Sequence, residues 1–258
     1  MATRKVSVMN PPARSVEELV HASSLIFTGA VVERGTSTVP AVPPNENLVV
    51  VRLERALRVD PVLGDLRGKM ITVAANTPES LSPDQKAVFF TNSWVHGRGI
   101  AVREVEHVDI REEASVATAV AQLPQIHLGD RLKRAELVVD AEVVRISPVE
   151  RKSFERNAAL WAVAELKVDR TLQGKPSEST MVYFPTSDHP LWARAPRFKE
   201  RQRGIFILHA PSPNATPSEA TLEAGSLVAL DPADFQPESQ LAGMKKLLAA
   251  LKREGGVQ

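Results

Sequence analysis

The stretch Asp188 to Arg203, DHPLWARAPRFKERQR, carries the densest chemistry in the chain. It sets Trp192 and Phe198 among Arg194, Arg197, Lys199, Arg201 and Arg203, and against Asp188 and Glu200 this is five positive charges to two negative. Cations neutralise a sugar-phosphate backbone and aromatic rings stack on bases. Interleaved on a loop, they are the ingredients of single-strand nucleic-acid binding. In the competing reading Trp192 and Phe198 plug one mouth of a barrel while the arginines stay in water. The plug is preferred, because Lys+Arg 32 against Asp+Glu 31 gives the whole chain no electrostatic steering.

Other candidates for chemistry are weaker. The six histidines, His21, His96, His107, His127, His189 and His209, show no HExxH or other metal-ligand spacing. Ser187-Asp188-His189 puts triad residue types in a row, but neighbours in sequence point apart and a triad is assembled from separate elements. Glu104 and Glu106, two apart on an expected strand, share a face and could pair for acid/base work; a solvated strand face is the commoner use of such a pair. Gly97-Arg98-Gly99 is too short for a dinucleotide loop, and GxxxxGK[ST] and GxSxG are absent. With Cys 0, neither disulfides nor thiolate chemistry are available. No metal or cofactor is implied. An enzyme is the class the motifs support least, although a site of dispersed residues leaves no linear trace.

The elements that must position these residues occur twice. Leu48 to Leu57, LVVVRLERAL, returns as Val163 to Leu172, VAELKVDRTL. In the same order, Leu19 and Ala22 match Leu132 and Ala135, and Val31-Val32 match Val143-Val144. Met70 to Val73 match Met181 to Phe184, and Lys86 to Phe90 match Arg203 to Ile207. Shared order points to an internal duplication. Each half reads as a short helix followed by about five β-branched, turn-punctuated strands, the pattern of a small barrel.

Ser15 is placed to cap the first helix, with Glu17 and Glu18 in its first turn. Gly35 to Asn47, with three prolines, reads as an exposed loop. Glu112 to Leu123 reads as a helix with Pro124 just beyond it, and a last strand is expected over Leu222 to Leu230. The tail is helical, with Leu241, Met244, Leu248 and Leu251 in one apolar stripe that must dock on something, its own barrel or a partner. The expected organisation is a first barrel over residues 15–111, a helical linker over 112–127, a second barrel over 128–232 and a C-terminal helix over 237–253.

This order of a helix ending in Ala, an LVV-type strand, a long strand ending ERAL or DRTL, and a charge-led apolar strand such as KAVFF resembles bacterial OB-like barrels of the netrin or tissue-inhibitor-of-metalloproteinases type. The resemblance implies a fold. The secreted inhibitors work through an N-terminal cysteine and a disulfide framework that this chain lacks, so inhibition is not implied. The expectation is a mainly β protein of two tandem OB-like barrels, non-enzymatic, binding another protein through barrel loops and the C-terminal helix. A single-stranded nucleic-acid binder is the alternative and an uncharacterised hydrolase the third reading; self-association is open to it. No apolar run reaches the ~20 residues that span a bilayer, nor the 7 to 15 of a secretory signal. A cytoplasmic location is therefore expected.

Overall fold

A computed structural model describes residues 14–97, 99–149, 160–175, 177–187, 192, 194–211 and 225–255. The protein is mainly β and divides into two compact units between Leu123 and Pro124.

In the first unit, α1 (Val16–Ala22) begins at Ser15. The Ser15 hydroxyl accepts from the Glu18 N–H, while the Glu18 carboxylate accepts from the Ser15 N–H, the reciprocal capping expected of this pair. Strands β1 (Leu25–Arg34), β2 (Leu48–Arg58), β3 (Met70–Ala74), β4 (Lys86–His96) and β5 (Ile100–Asp109) close into a barrel in the order β1-β2-β3-β5-β4. All pairs are antiparallel except β3 with β5. Inward residues such as Phe27, Val51, Ile71, Phe89 and Val102 fill the interior. On the outer face, Ile26, Val88 and Phe90 are covered by Leu19 and Val20 of α1 and by Val116 and Ala119 of α2 (Glu113–Lys133).

The second unit is barrel-like but does not close as the first does: β6 (Leu137–Pro148), β7 (Trp161–Gln173), β8 (Ser179–Pro185), β9 (Arg203–Leu208), β10 (Leu227–Val228) and β11 (Phe235–Pro237) form a six-stranded sheet in the order β10-β8-β7-β6-β9-β11. Its interior is built on Val139, Leu166, Phe184 and Phe206. Its outer layer joins Val138, Ile205 and Ile207 to Leu132 of α2 and to Met244 and Leu248 of α3 (Leu241–Gly255).

The registers agree with the duplication in detail. Pairing of β1 with β2 shifts after Ile26, Thr28 and Val31; pairing of β6 with β7 shifts after Val138, Asp140 and Val143, the matching positions. The turn into β4 and the turn into β9 are also the same. Asp84 and Arg201 take left-handed φ of 63° and 65°. Gln85 Oε1 accepts from the Ser82 N–H and Gln202 Oε1 from the Lys199 N–H, at 2.9 and 2.8 Å.

One match differs. Val51 faces Ile71 and Leu166 faces Thr180, so Val73 corresponds to Val182 and not to Phe184. The sequence match was two residues out of step, a slip that keeps every side chain on its own face of a pleated strand.

The fifth strand is where the units part. Arg103 pairs with Asn92 and His107 with Phe89; the equivalent residues Val228 and Phe235 meet His209 and Phe206. Three residues separate Arg103 from His107 and six separate Val228 from Phe235. The longer segment forms a one-turn 3-10 helix at Pro232–Asp234 that breaks the strand into β10 and β11. A strand over Leu222 to Leu230 therefore reduces to Leu227–Val228, with 222–224 outside the described residues.

One further expectation is corrected and another refined. The helix expected to stop before Pro124 runs on as the 21-residue α2 with the proline inside it. A proline costs an interior helix about 3 kcal/mol, which the apolar burial on either side offsets: Val116, Ala119 and Leu123 in the first unit, Leu128 and Leu132 in the second. The loop from Gly35 to Asn47 is mostly exposed, as expected, and is anchored to the sheet by two buried residues. Val39 and Val42 are buried beside Leu48 and Ala101, and the Thr38 N–H donates to Thr72 Oγ1 at 3.0 Å.

Cutting the chain should report this division. A fragment ending at Leu123 retains the helix that covers Ile26, Val88 and Phe90 and should melt cooperatively, whereas one ending at Arg111 exposes that face. The shorter fragment should show a lower midpoint in urea and bind a hydrophobic dye.

Candidate functional site

The basic aromatic loop lies at the entry to β9, and the structure divides its residues by role. Phe198 is buried at 6% exposure, packed at ring-centroid distances of 4.9, 5.1 and 5.9 Å from Phe184, Phe206 and Phe235. It holds the place that Leu81 holds in the first barrel, and it is a core residue. Trp192 is half-buried, edge-on to Trp161 at 5.8 Å. The turn places Lys199 and Arg201 through their backbones, with the Arg201 N–H donating to the Val143 carbonyl at 2.8 Å. Arg197 donates to the Ser187 carbonyl at 3.1 Å. Arg203 pairs with Asp169 and Glu142. The side chains of Arg194, Lys199 and Arg201 are exposed and make no ion pair among the described residues. Residues 188–191 and 193, which include Asp188 and His189, lie outside the described residues, as does Arg98.

The apolar stripe of α3 is already occupied. Met244 and Leu248 are buried against Leu132, Val138, Ile205 and Ile207, with Leu241 and Leu251 packed on the same cluster. The stripe proposed as a partner surface therefore docks on its own unit, because the outer face of β6 and β9 is apolar and needs cover.

A polar cluster in the first barrel was not legible in sequence. The pairing of β4 with β5 shifts between Phe90–Glu106 and Thr91–Glu104, which makes Val105 a bulge. Alternation is broken there: Glu104 is buried, Glu106 is exposed, and His107 joins Glu104 on one side although it stands three residues away. The expected shared face of Glu104 and Glu106 does not form. His107 Nδ1 lies 2.6 Å from Glu104 Oε1, and His107 Nε2 lies 3.1 Å from Ser80 Oγ. The other Glu104 oxygen accepts from the Asn76 N–H at 2.6 Å. Ser80 is exposed and donates its hydroxyl to the Thr77 carbonyl at 2.6 Å. The hydrogen bond that His107 donates to the Glu104 carboxylate raises the His107 pKa above its ordinary 6.5, against the lowering effect of burial, and the charges of Glu104 and Glu106 add to the rise.

The second unit holds a different cluster, on the inserted turn. Asp234 is fully buried, takes a bidentate pair from Arg131 at 2.8 and 2.7 Å, and accepts from the N–H groups of Leu230 and Asp231. His209 Nε2 stands 3.2 Å from Asp234 Oδ1, out of line for a hydrogen bond, while its Nδ1 faces the Arg134 carbonyl at 3.3 Å. His127 pairs with Asp231 at 2.9 Å. With four hydrogen bonds converging on Asp234, the cluster fastens the inserted turn to α2. No group of His, Asp and Glu among the described residues is arranged to hold a metal ion. Among the described residues, His107 and His127 thus hold carboxylates, and His209 stands beside a third.

No protein-family model matches this chain, and no curated protein matches it. Among solved structures it is similar to a murine DNA-binding protein bound with double-stranded DNA, at TM-score 0.21 and 10% identity, covering 74% of this chain and 90% of that one. A likeness of that size carries no argument about fold or partner.

Two measurements check the site. Phe198→Ala should cost about 3–5 kcal/mol in urea unfolding, as for other large buried rings, and Trp192→Ala distinctly less. The Glu104–His107 pair should stabilise with a definite sign in pH. A histidine whose folded pKa is raised contributes fully below the unfolded value and loses that contribution as pH rises through the folded value. The stability advantage of the native chain over His107→Gln should therefore be larger at pH 6 than at pH 9.

Proposed function

We propose that the chain binds a partner protein through the cationic loop of its second unit, which meets an acidic surface. The observation that supports this reading is the state of Arg194, Lys199 and Arg201: three exposed cations, two of them on a turn fixed by hydrogen bonds to its backbone, with no ion pair among the described residues. Most other described arginines at a strand or helix here sit beside a carboxylate or a carbonyl, as Arg55, Arg58, Arg131, Arg145 and Arg203 do. Unpaired cations held in a fixed frame lose little on meeting a partner and give salt-dependent, steered association. The α3 stripe takes no part in this reading, since its own unit covers it.

A single-stranded nucleic acid is the second reading, favoured by Trp192, whose half-exposed ring lies in the same loop as these cations. Stacking needs a platform of rings, and Phe198 is committed to the core, so this reading rests on one ring. The described helices include none long and apolar enough to cross a membrane. A cytoplasmic setting is part of the proposal, in keeping with a chain that has Cys 0.

The test is a tryptophan-fluorescence titration with poly-glutamate and with a single-stranded oligonucleotide, each at low and high salt. Poly-glutamate should bind at low salt, and the Arg194→Glu, Lys199→Glu, Arg201→Glu triple variant should lose that binding at unchanged Tm. Oligonucleotide binding that falls on Trp192→Ala would move the proposal to the second reading, and absence of both would end it.

A further inference from the structure

We propose that Glu104, His107 and Ser80 of the first barrel form a hydrolytic relay in which Ser80 is the nucleophile toward small carboxylic esters. The comparison of the two units carries the argument. They share strand order, matching register shifts and the same turn, so each tests what the other needs in order to fold. In the second unit the position of His107 is Phe235 and the position of Ser80 is Arg197, and the rings of Phe184, Phe198, Phe206 and Phe235 pack together there. The scaffold therefore does not require a buried carboxylate and imidazole at this mouth. An apolar cluster at such a place is commonly as stable as a buried ion pair, or more so.

The first unit nonetheless holds a carboxylate, an imidazole and an exposed hydroxyl in line, at 2.6 and 3.1 Å. These are the spacings of an orienting acid, a base and a nucleophile, the first two brought together on β5 by its bulge and the third supplied by the turn at Pro78–Ser80. Glu104, anchored by the Asn76 N–H, is a positioning residue that holds the ring through Nδ1 and leaves Nε2 toward Ser80.

The step balances without any further reagent. Ser80 Oγ attacks the ester carbonyl carbon while its proton passes to His107 Nε2, and the carbonyl π pair moves onto oxygen. Thr77 Oγ1 accepts from Ser80 Oγ at 3.3 Å, and once that proton has left, its own O–H can turn toward the oxyanion. The intermediate collapses, the bond to the alcohol oxygen breaks, and that oxygen takes the proton from Nε2. Water then attacks the acyl-serine, gives a proton to Nε2, and the acid leaves as Ser80 Oγ recovers it. Exposed Glu79 and Glu106 flank the relay, so the substrates it admits are neutral or cationic and not anionic.

While His107 is protonated, Nε2 is a donor and Ser80 keeps its proton on the Thr77 carbonyl. The neutral ring, with Nδ1–H on Glu104, presents the lone pair. The charged groups acting on His107 are Glu104 and Glu106 of its own strand; β4 presents the ring of Phe89 and the turn at Pro78–Ser80 presents the Ser80 hydroxyl. The rate should therefore rise with pH, with a midpoint above the ordinary histidine value of 6.5.

The experiment uses the full chain with 4-nitrophenyl acetate between about pH 5 and pH 9 and, separately, a fluorophosphonate probe mapped by peptide mass spectrometry. The native chain should hydrolyse the ester at least ~10²-fold faster than Ser80→Ala, and the probe should sit on Ser80 and be lost in His107→Gln. Glu104→Gln should lower kcat and move the pH midpoint downward. Ser80 is exposed, so Ser80→Ala folds and decides the matter even if the buried Glu104 variant does not. Equal hydrolysis by the native chain and Ser80→Ala, or a probe that leaves Ser80 unlabelled, would overturn the proposal.

Discussion

Both units depend on one constraint, the bending of a long hairpin. A sheet of five strands closes over a core only when its strands coil, and coiling is concentrated at bulges, where one strand gains a residue on its partner. In this chain the bends fall after Ile26, Thr28 and Val31 and again after Val138, Asp140 and Val143. They direct Phe27 and Val31, and likewise Val139 and Val143, into the interior, while Ile26 and Val138 go to the outer layer under the helices. Two apolar layers per unit follow from this: one inside the sheet and one beneath a helix at its outer face. The C-terminal helix belongs to that second layer as firmly as any strand belongs to the first.

Within that shared frame the units differ where the fifth strand crosses the barrel mouth. In the second unit Phe235 lies over Gly204, where an added Cβ would stand 2.7 Å from its ring and 2.5 Å from the Gln236 carbonyl. The glycine and the phenylalanine are therefore coupled choices. The three extra residues before Phe235 must turn within the protein, and a buried turn leaves N–H groups in need of acceptors. Asp234 answers that need, and its own charge is met by Arg131. The polar cluster of the second unit is thus a consequence of the insertion. That of the first unit has no such cause, since β5 runs there without interruption.

Strand order and duplication were legible because apolar alternation and turn residues survive divergence. The matches of Leu48–Leu57 with Val163–Leu172 and of Val31-Val32 with Val143-Val144 are the registers found. Met70–Val73 slipped by two because apolar residues alternate in both β3 and β8, and period-two patterns fit equally well after a shift of two. The relay at His107 was hidden for a related reason. Residues three apart on a regular strand face opposite ways, and only the bulge at Val105 brings Glu104 and His107 together, with Ser80 arriving from a turn that no strand pattern foretells. In the basic loop, composition marked the right segment but could not sort it. Phe198 and Trp192 look alike in sequence, and only packing against Phe184, Phe206 and Phe235 separates a core ring from a surface one.

That sorting also explains why the cations of the second unit stand where they do. A ring at the mouth must be followed at once by the turn that leads into β9, and the turn needs a left-handed residue and a glutamine whose side chain holds the N–H three residues back. Those backbone demands fall on Arg201 and Gln202 and leave their neighbours' side chains unconstrained. In the first unit the equivalent positions are Ser82, Pro83 and Asp84, neutral or acidic, and the turn forms equally well. Since the turn is indifferent to charge, the cations at Lys199 and Arg201 are not there for folding. Their side chains stand in solvent, while the backbone beneath them ties the entry of β9 to β6 through the Arg201 N–H and the Val143 carbonyl.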